Sequence, residues 1–332
     1  PTAFFVVFFI FAKAALIKKT QNITIAFMQA TNNILLIRPS NFGFNNETAI
    51  SNSFQKKVNG NESKLKKLVL AEFDAFASVL KTNGINVFVF EDTNFPEKPD
   101  AVFPNNWISF HADGTVIIYP MHAHNRRKER RQDIIEAIKK NFNITKLIDF
   151  SGYEKQNKYL EGTGSIVFDH KNKIAYASLS PRTDKGLFLK LCDQLSYKGI
   201  CFYSFDKSGK EIYHSNVMMC IGENFAVICL AAINDEKEKE MVFNNLTASG
   251  HRVIDISFHQ MENFAGNMLE LKGGTKKNIL ALSQSAFNCL ATSQKQQLAQ
   301  SVELVPLAIP TIETIGGGSA RCMIAEIFLP VL

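Results

Sequence analysis

The chain has no Cys-x-x-Cys pair, no P-loop, no His-Glu-x-x-His and no Gly-x-Ser-x-Gly. Nor does a glycine fingerprint stand at any strand-to-helix turn. These absences exclude the usual signatures of zinc modules, phosphate-cradling loops, zinc proteases, serine hydrolases and dinucleotide binders. Proline (10) and glycine (18) are too sparse in 332 residues for a collagen-like or disordered chain. Strong charge is also lacking. The net charge is +6, and Lys13, Lys18 and Lys19 contribute to it from an N-terminal stretch without any acid before Glu47. Such a mild excess gives no ground for nucleic-acid binding. Six cysteines, four of them in apolar runs, suit neither a disulfide framework nor a zinc site. A reducing, cytoplasmic compartment is the expectation. What remains is a globular balance, with 46% hydrophobic and 20% charged residues, in a chain long enough to bury a sizeable core.

Residues 3–17 read AFFVVFFIFAKAALI, a run short for a membrane span and interrupted by Lys13. A signal-like segment, a membrane anchor and an over-extended translation start compete for residues 1–27. The last is preferred, because Met28 stands just before the first convincing strand, Ile34–Ile37. Residues 28–332 are read as one domain.

Within that domain a pattern of strand, turn, strand, helix, strand recurs. Hairpins are expected at Trp107–Tyr119, Ser165–Leu179, Val217–Ala231 and Met268–Leu282. Each precedes a helical segment (Arg126–Asn141, Thr183–Tyr197, Asp235–Ser249, Ser285–Ser301) and then a β-rich run. A further helix, Glu62–Thr82, precedes Ile85–Phe90, and its missing hairpin can be closed by Ile34–Ile37 from the front and Met323–Phe328 from the back. A unit of 50–60 residues repeated five times implies an α/β ring of five ββαβ blades, without free sheet edges. This regularity argues against a doubly wound sheet.

A reactive or amide residue stands at or before the first strand of each hairpin: Asn106, Glu161, His214 with Asn216, Asn267 and Cys322. The intervals are 55, 53, 53 and 55 residues. In a ring of equivalent units these positions converge on one central cavity. A cysteine, a histidine and a carboxylate meeting there suit nucleophilic catalysis. Cys322 follows Gly316-Gly-Gly-Ser-Ala-Arg321, a flexible, ligand-facing loop, and Arg321 with a protonated His214 would favour its thiolate. Arg182, where a second strand passes into a helix, suits a bidentate grip on a carboxylate. His111, His122 and His124 lack a carboxylate cluster and are read as surface residues, and Arg126–Arg131 as a solvated helix face.

Five segments, taken together, resemble the guanidino-group-modifying superfamily, the penteins. GGGSARCM at 316–323 is similar to the nucleophile segment of arginine deiminases. Leu160-Glu-Gly-Thr-Gly-Ser resembles their Glu-Gly-Gly-Asp, and Tyr213-His-Ser-Asn their His-x-Asp. Phe103-Pro-Asn-Asn resembles a segment ending in Asp, and Leu179-Ser-Pro-Arg-Thr one whose arginine holds the substrate carboxylate. The resemblance implies a five-bladed α/β propeller and a cofactor-free, metal-free cysteine hydrolase acting on a free amino acid. It assigns Cys322 as nucleophile, His214 as general acid and base, Arg182 to the α-carboxylate, and Glu161, Asn106, Asn216 and Asn267 to the planar head group. Asn106 and Asn216 stand where arginine deiminases carry aspartates. Amides suit a neutral ureido group, and Asn263-Phe-Ala-Gly-Asn-Met-Leu is similar to the citrulline-hydrolase branch. Citrulline hydrolysis to ornithine, ammonia and carbon dioxide is therefore expected. Amidino transfer, arginine deimination and a non-catalytic binding protein are the alternatives. A neutral substrate cannot itself favour a thiolate, so Cys322 and His214 are expected as an ion pair in the free enzyme. No nucleic-acid or membrane partner is expected, and a homo-oligomer is left open.

Overall fold

The computed structural model describes residues 28–58, 61–274 and 277–332. The readings made for residues 1–27, and the end of the turn at 272–275, lie outside the described residues. Five three-stranded sheets carry the fold. The first joins Ala325–Glu326, Asn33–Arg38 and Asn86–Glu91, so both ends of the domain close one blade. The second joins Ile108–Phe110, Thr115–Ile118 and Lys146–Asp149, and the third Val167–Asp169, Ile174–Leu179 and Lys198–Tyr203. Met219–Ile221, Phe225–Ile228 and Arg252–Asp255 form the fourth, and Leu269–Leu271, Asn278–Ser283 and Val302–Leu307 the fifth. In every sheet the middle strand pairs antiparallel with one neighbour and parallel with the other. This is the α/β five-bladed propeller that the repeat implies.

A parallel pair needs a crossover, and helices supply it. Glu62–Thr82 is capped by the Asn61 side chain, Lys185–Leu195 by Asp184 and Glu236–Ala248 by Asp235. Each buries an apolar stripe, as Val69, Phe73, Phe76 and Leu80 show for the first. Among the described residues no helix is long and apolar enough to cross a membrane.

Two expected helices are broken. The Ser285–Ser301 segment divides into Gln284–Cys289 and Thr292–Ala299, because Leu290 turns extended and the Gln294 side chain caps the restart at Ala291. The Arg126–Asn141 segment becomes a 3-10 turn, Asn125–Glu129, then an extended Arg130 and a helix over Gln132–Ile138. The cause is Arg126, which is 3% exposed and drawn inward with Glu129. The reading of Arg126–Arg131 as a solvated face is corrected: Arg126 and Glu129 are buried, Arg127, Arg130 and Arg131 half-buried, and only Lys128 is exposed. His111 is also buried rather than superficial, whereas His122 is half-buried and His124 exposed.

The inner strands start later than expected. Pro104–Asn106, Gly162–Ser165 and Ser215–Met218 form single helical turns before them. Those turns set the polar residues at one end of the inner strands, and the hairpin turns lie at the other end.

Candidate active site

The turns bring the expected residues together. One small cavity of about 20 Å³ is lined by Asn106, Arg182, His214 and Cys322, together with Asp100 and Arg126. Asn216 and Asn267 reach the same sulfur from neighbouring blades: Asn267 Nδ2 donates to Cys322 Sγ at 3.2 Å and Asn216 Nδ2 at 3.5 Å.

Glu161 is fully buried at the start of its turn. Its Oε1 accepts from the His122 backbone at 2.9 Å, and its Oε2 from His214 Nε2 at 2.8 Å. Arg182 Nη1 approaches the same oxygen at 3.5 Å. Burial alone would raise this carboxyl's pKa. The Arg182 charge and then the His214 hydrogen bond outweigh it and hold the group well below the usual carboxylate range. Burial pushes His214 down to about 4 despite the Glu161 bond. The imidazole is therefore neutral at neutral pH, with its proton on the Nε2 that faces the carboxylate and a lone pair on Nδ1. Gly164 makes this packing possible: a Cβ there would lie 2.4 Å from Asn106 Nδ2 and 2.8 Å from His214 Nδ1.

Asn106 has a fixed orientation. Arg126 Nη1, which can only donate, bonds its Oδ1 at 2.6 Å, so its Nδ2 is the remaining amide atom, buried beside Gly164 without a hydrogen-bond partner. Arg126 is itself held by Glu129 at 2.8 Å, and burial pushes that carboxyl up to about 7 against the pull of Arg126.

Cys322 is buried, and burial pushes its thiol pKa up. The expected Cys322–His214 ion pair is not formed. Among the described residues no hydrogen bond or ion pair joins them, because His214 is committed to Glu161 and its cationic form is disfavoured by burial. The glycine loop is built for a tight approach: Gly317 has φ +61°, and a Cβ there would lie 2.7 Å from Asn52 and Gln55.

A segment after the first strand covers the cavity. Thr48 O accepts from Arg182 Nη2 at 2.9 Å and Ser51 Oγ from Arg182 Nε at 2.9 Å. Gln55 Nε2 donates to Gly316 O at 3.0 Å, and the Phe54 ring packs against Phe264. A space of about 20 Å³ holds a water molecule rather than an amino acid, so the described state is closed.

Sequence reasoning missed Arg126, Asp100 and the covering segment. Arg126 had a usable signal. It stands 56 residues before Arg182, in the corresponding strand-to-helix connection of the previous blade. The covering segment acts through the Thr48 backbone, the Ser51 hydroxyl, the Gln55 amide and the Phe54 ring, which form no recognisable motif in the sequence.

The family model for eukaryotic N,N-dimethylarginine dimethylhydrolases matches residues 38–329. No protein with a curated description matches significantly. Among solved structures, the chain is similar to apo ArgZ, an arginine dihydrolase of the ornithine–ammonia cycle in cyanobacteria, with 14% identity and a TM-score of 0.70. That match covers 90% of this chain but only 41% of ArgZ, so the chain spans about two-fifths of that protein. It covers 99% of the ArgZ N-terminal domain, solved as a cysteine-to-serine mutant bound to substrate, at 14% identity and a TM-score of 0.70. A dimethylarginine dimethylhydrolase from Pseudomonas aeruginosa, solved as a cysteine-to-serine mutant with citrulline, gives a TM-score of 0.61 at 15% identity, covering 90% of this chain and all of that one. The length of the family match shows that the chain belongs to the eukaryotic N,N-dimethylarginine dimethylhydrolase family of the penteins, hydrolases of non-peptide C–N bonds.

Proposed function

We propose that this protein is a cysteine hydrolase of the terminal ureido group of a free amino acid, with citrulline as substrate and ornithine, ammonia and carbon dioxide as products. The observation that carries the reading is Asn106 Nδ2. Arg126 fixes it as an unpartnered donor beside His214, where a ureido oxygen can accept from it. The Oδ1 atoms of Asn216 and Asn267, also without partners, suit the ureido N–H groups.

In this mechanism Cys322 sulfur attacks the ureido carbon. The S–C bond forms, the bond to the terminal nitrogen breaks, and ammonia leaves. His214 relays the thiol proton to that nitrogen, and Glu161 stabilises the transient imidazolium. The resulting thiocarbamate is attacked by water, whose proton passes through His214 to the departing sulfur. The carbamic acid released loses carbon dioxide to give ornithine. Arg182 binds the α-carboxylate once the covering segment withdraws Thr48 and Ser51 from its guanidinium.

The family match favours a second reading, hydrolysis of a methylated arginine, in which a cation replaces the neutral head group. Incubation with citrulline, arginine and dimethylarginine, followed by chromatography of the amino acids and an ammonia assay, separates the two. Ornithine and ammonia from citrulline support the proposal. Citrulline accumulating from a guanidino substrate supports the second reading.

A further inference from the structure

The Cys322 sulfur accepts from two side-chain amides, and among the described residues no hydrogen bond joins it to an imidazole. A thiol is a weak acceptor, whereas hydrogen bonds to an ionised group are roughly twice as strong as neutral ones. Two amides aimed at the sulfur therefore favour the thiolate over the thiol. Both are well placed to do so: Asn267 Nδ2 also donates to the Asn216 backbone oxygen at 2.8 Å, which ties the two together. Behind the sulfur lies Arg321, whose Nη1 donates to Ile324 O at 2.9 Å and whose Nη2 donates to Glu326 at 2.8 Å. These bonds staple the turn that carries Cys322 and keep a positive charge next to it.

We propose that Asn216 and Asn267 form a two-amide cradle for the Cys322 thiolate, with Arg321 positioned behind it, so that neutral donors rather than an imidazolium stabilise the charged nucleophile. When the S–H bond breaks, the electron pair stays on sulfur. The proton goes to water in the free enzyme and to neutral His214 during turnover. This assignment rests on Cys322 being the nucleophile. It explains how a substrate without positive charge meets a reactive sulfur although His214 is committed to Glu161. Burial raises the thiol pKa, and the Ser319 backbone, Asn267, Arg321 and Asn216, in that order, act against that rise. The other titratable or charged groups around the sulfur are Asp100, Arg126, Arg182, Tyr213 and His214 across the cavity, and Glu326 behind Arg321.

The test is a pH titration of thiolate absorbance in the ligand-free full chain, with the Cys322→Ser protein subtracted to remove the other five cysteines. Asn267→Ala is expected to raise the Cys322 midpoint by about one pH unit, a tenfold loss of thiolate below it. Asn216→Ala, which removes the longer contact, is expected to shift it by about half as much. Arg321→Gln is expected to raise the midpoint and Arg321→Lys to restore most of it. Asn106→Ala, which does not touch the sulfur, is the comparison and is expected to leave the midpoint in place. If Asn267→Ala does not melt cooperatively, Asn267→Ser, which keeps a donor, replaces it with an expected smaller shift. Unchanged midpoints in both asparagine variants, or an equal shift in Asn106→Ala, would overturn the cradle. The readout needs no substrate. Unshifted midpoints in an enzyme that hydrolyses citrulline fault the cradle alone, and shifted midpoints in a protein inert to every candidate fault the functional reading alone.

Discussion

The two ends of the inner strands are both polar, and they handle their polar groups in opposite ways. At the hairpin end most of the groups satisfy one another, His251 Nδ1 being an exception. Ser109 Oγ bonds His111 Nε2 at 2.8 Å and the Tyr119 hydroxyl at 2.7 Å, and His170 Nδ1 bonds the Tyr197 hydroxyl at 2.8 Å. Gln29 donates to the backbones of Phe168 and Ile221 and accepts from that of His170, which bridges two blades. At the other end, Asn106 Nδ2, Asn216 Oδ1, Asn267 Oδ1 and Asp100 Oδ1 are buried without partners. An unsatisfied buried polar atom costs about 1–3 kcal/mol, so a cluster of them is tolerated only where something else is bound. The comparison separates polar residues that hold the propeller together from polar residues held ready for a ligand.

The largest effect that sharpens this contrast is expected at Cys322. Cys322→Ala should abolish turnover with little change in the unfolding midpoint, and His214→Ala should lower kcat by on the order of 10²-fold, as steady-state kinetics and urea unfolding will show. Arg182→Ala comes next. Loss of a buried, charged contact to a carboxylate is worth roughly 2–5 kcal/mol, seen chiefly in KM, with a smaller fall in kcat because Glu161 loses the charge that holds its pKa down. Unchanged substrate affinity in that variant contradicts the carboxylate role. At the hairpin end the pattern reverses. Gln29→Ala should reduce stability by about 1–3 kcal/mol in urea titration and leave kcat/KM within roughly twofold. The smallest effect is a pH dependence. Burial pushes His111 down to about 4 from an ordinary 6.5. The unfolded chain thus binds the extra proton first, and stability is lost as pH falls from 6.5 towards 4. His111→Gln should flatten that loss in unfolding titrations without moving the activity profile.

Much of this was legible in the sequence because the repeat period carries geometry. Nearly equal intervals between Asn106, Glu161, His214, Asn267 and Cys322 put one residue from each blade at one level, and closure by Ile34–Ile37 with Met323–Phe328 follows from the same count. What escaped it depends on tertiary contact. Arg126 reads locally as one cation in a basic run, and only its bonds to Asn106 and Glu129 show why the helix is broken there. The break at Leu290 depends on the Gln260 and Gln294 side chains meeting across two segments. The partner of His214 was misjudged for a related reason. Register shows that histidine, cysteine and glutamate converge, but not that the carboxylate takes the imidazole first.

The account rests most heavily on Asn106 as a donor to a neutral head group, and one comparison tests it: kcat/KM for citrulline and for arginine in the parent and in Asn106→Asp. An aspartate there cannot donate to a ureido oxygen, and it offers a cation the counter-charge that the amide lacks. The parent is expected to prefer citrulline, and Asn106→Asp to move the ratio towards arginine by about tenfold or more, the equivalent of one charge-assisted hydrogen bond. A parent that consumes arginine faster than citrulline, with a ratio unmoved by the substitution, would contradict it.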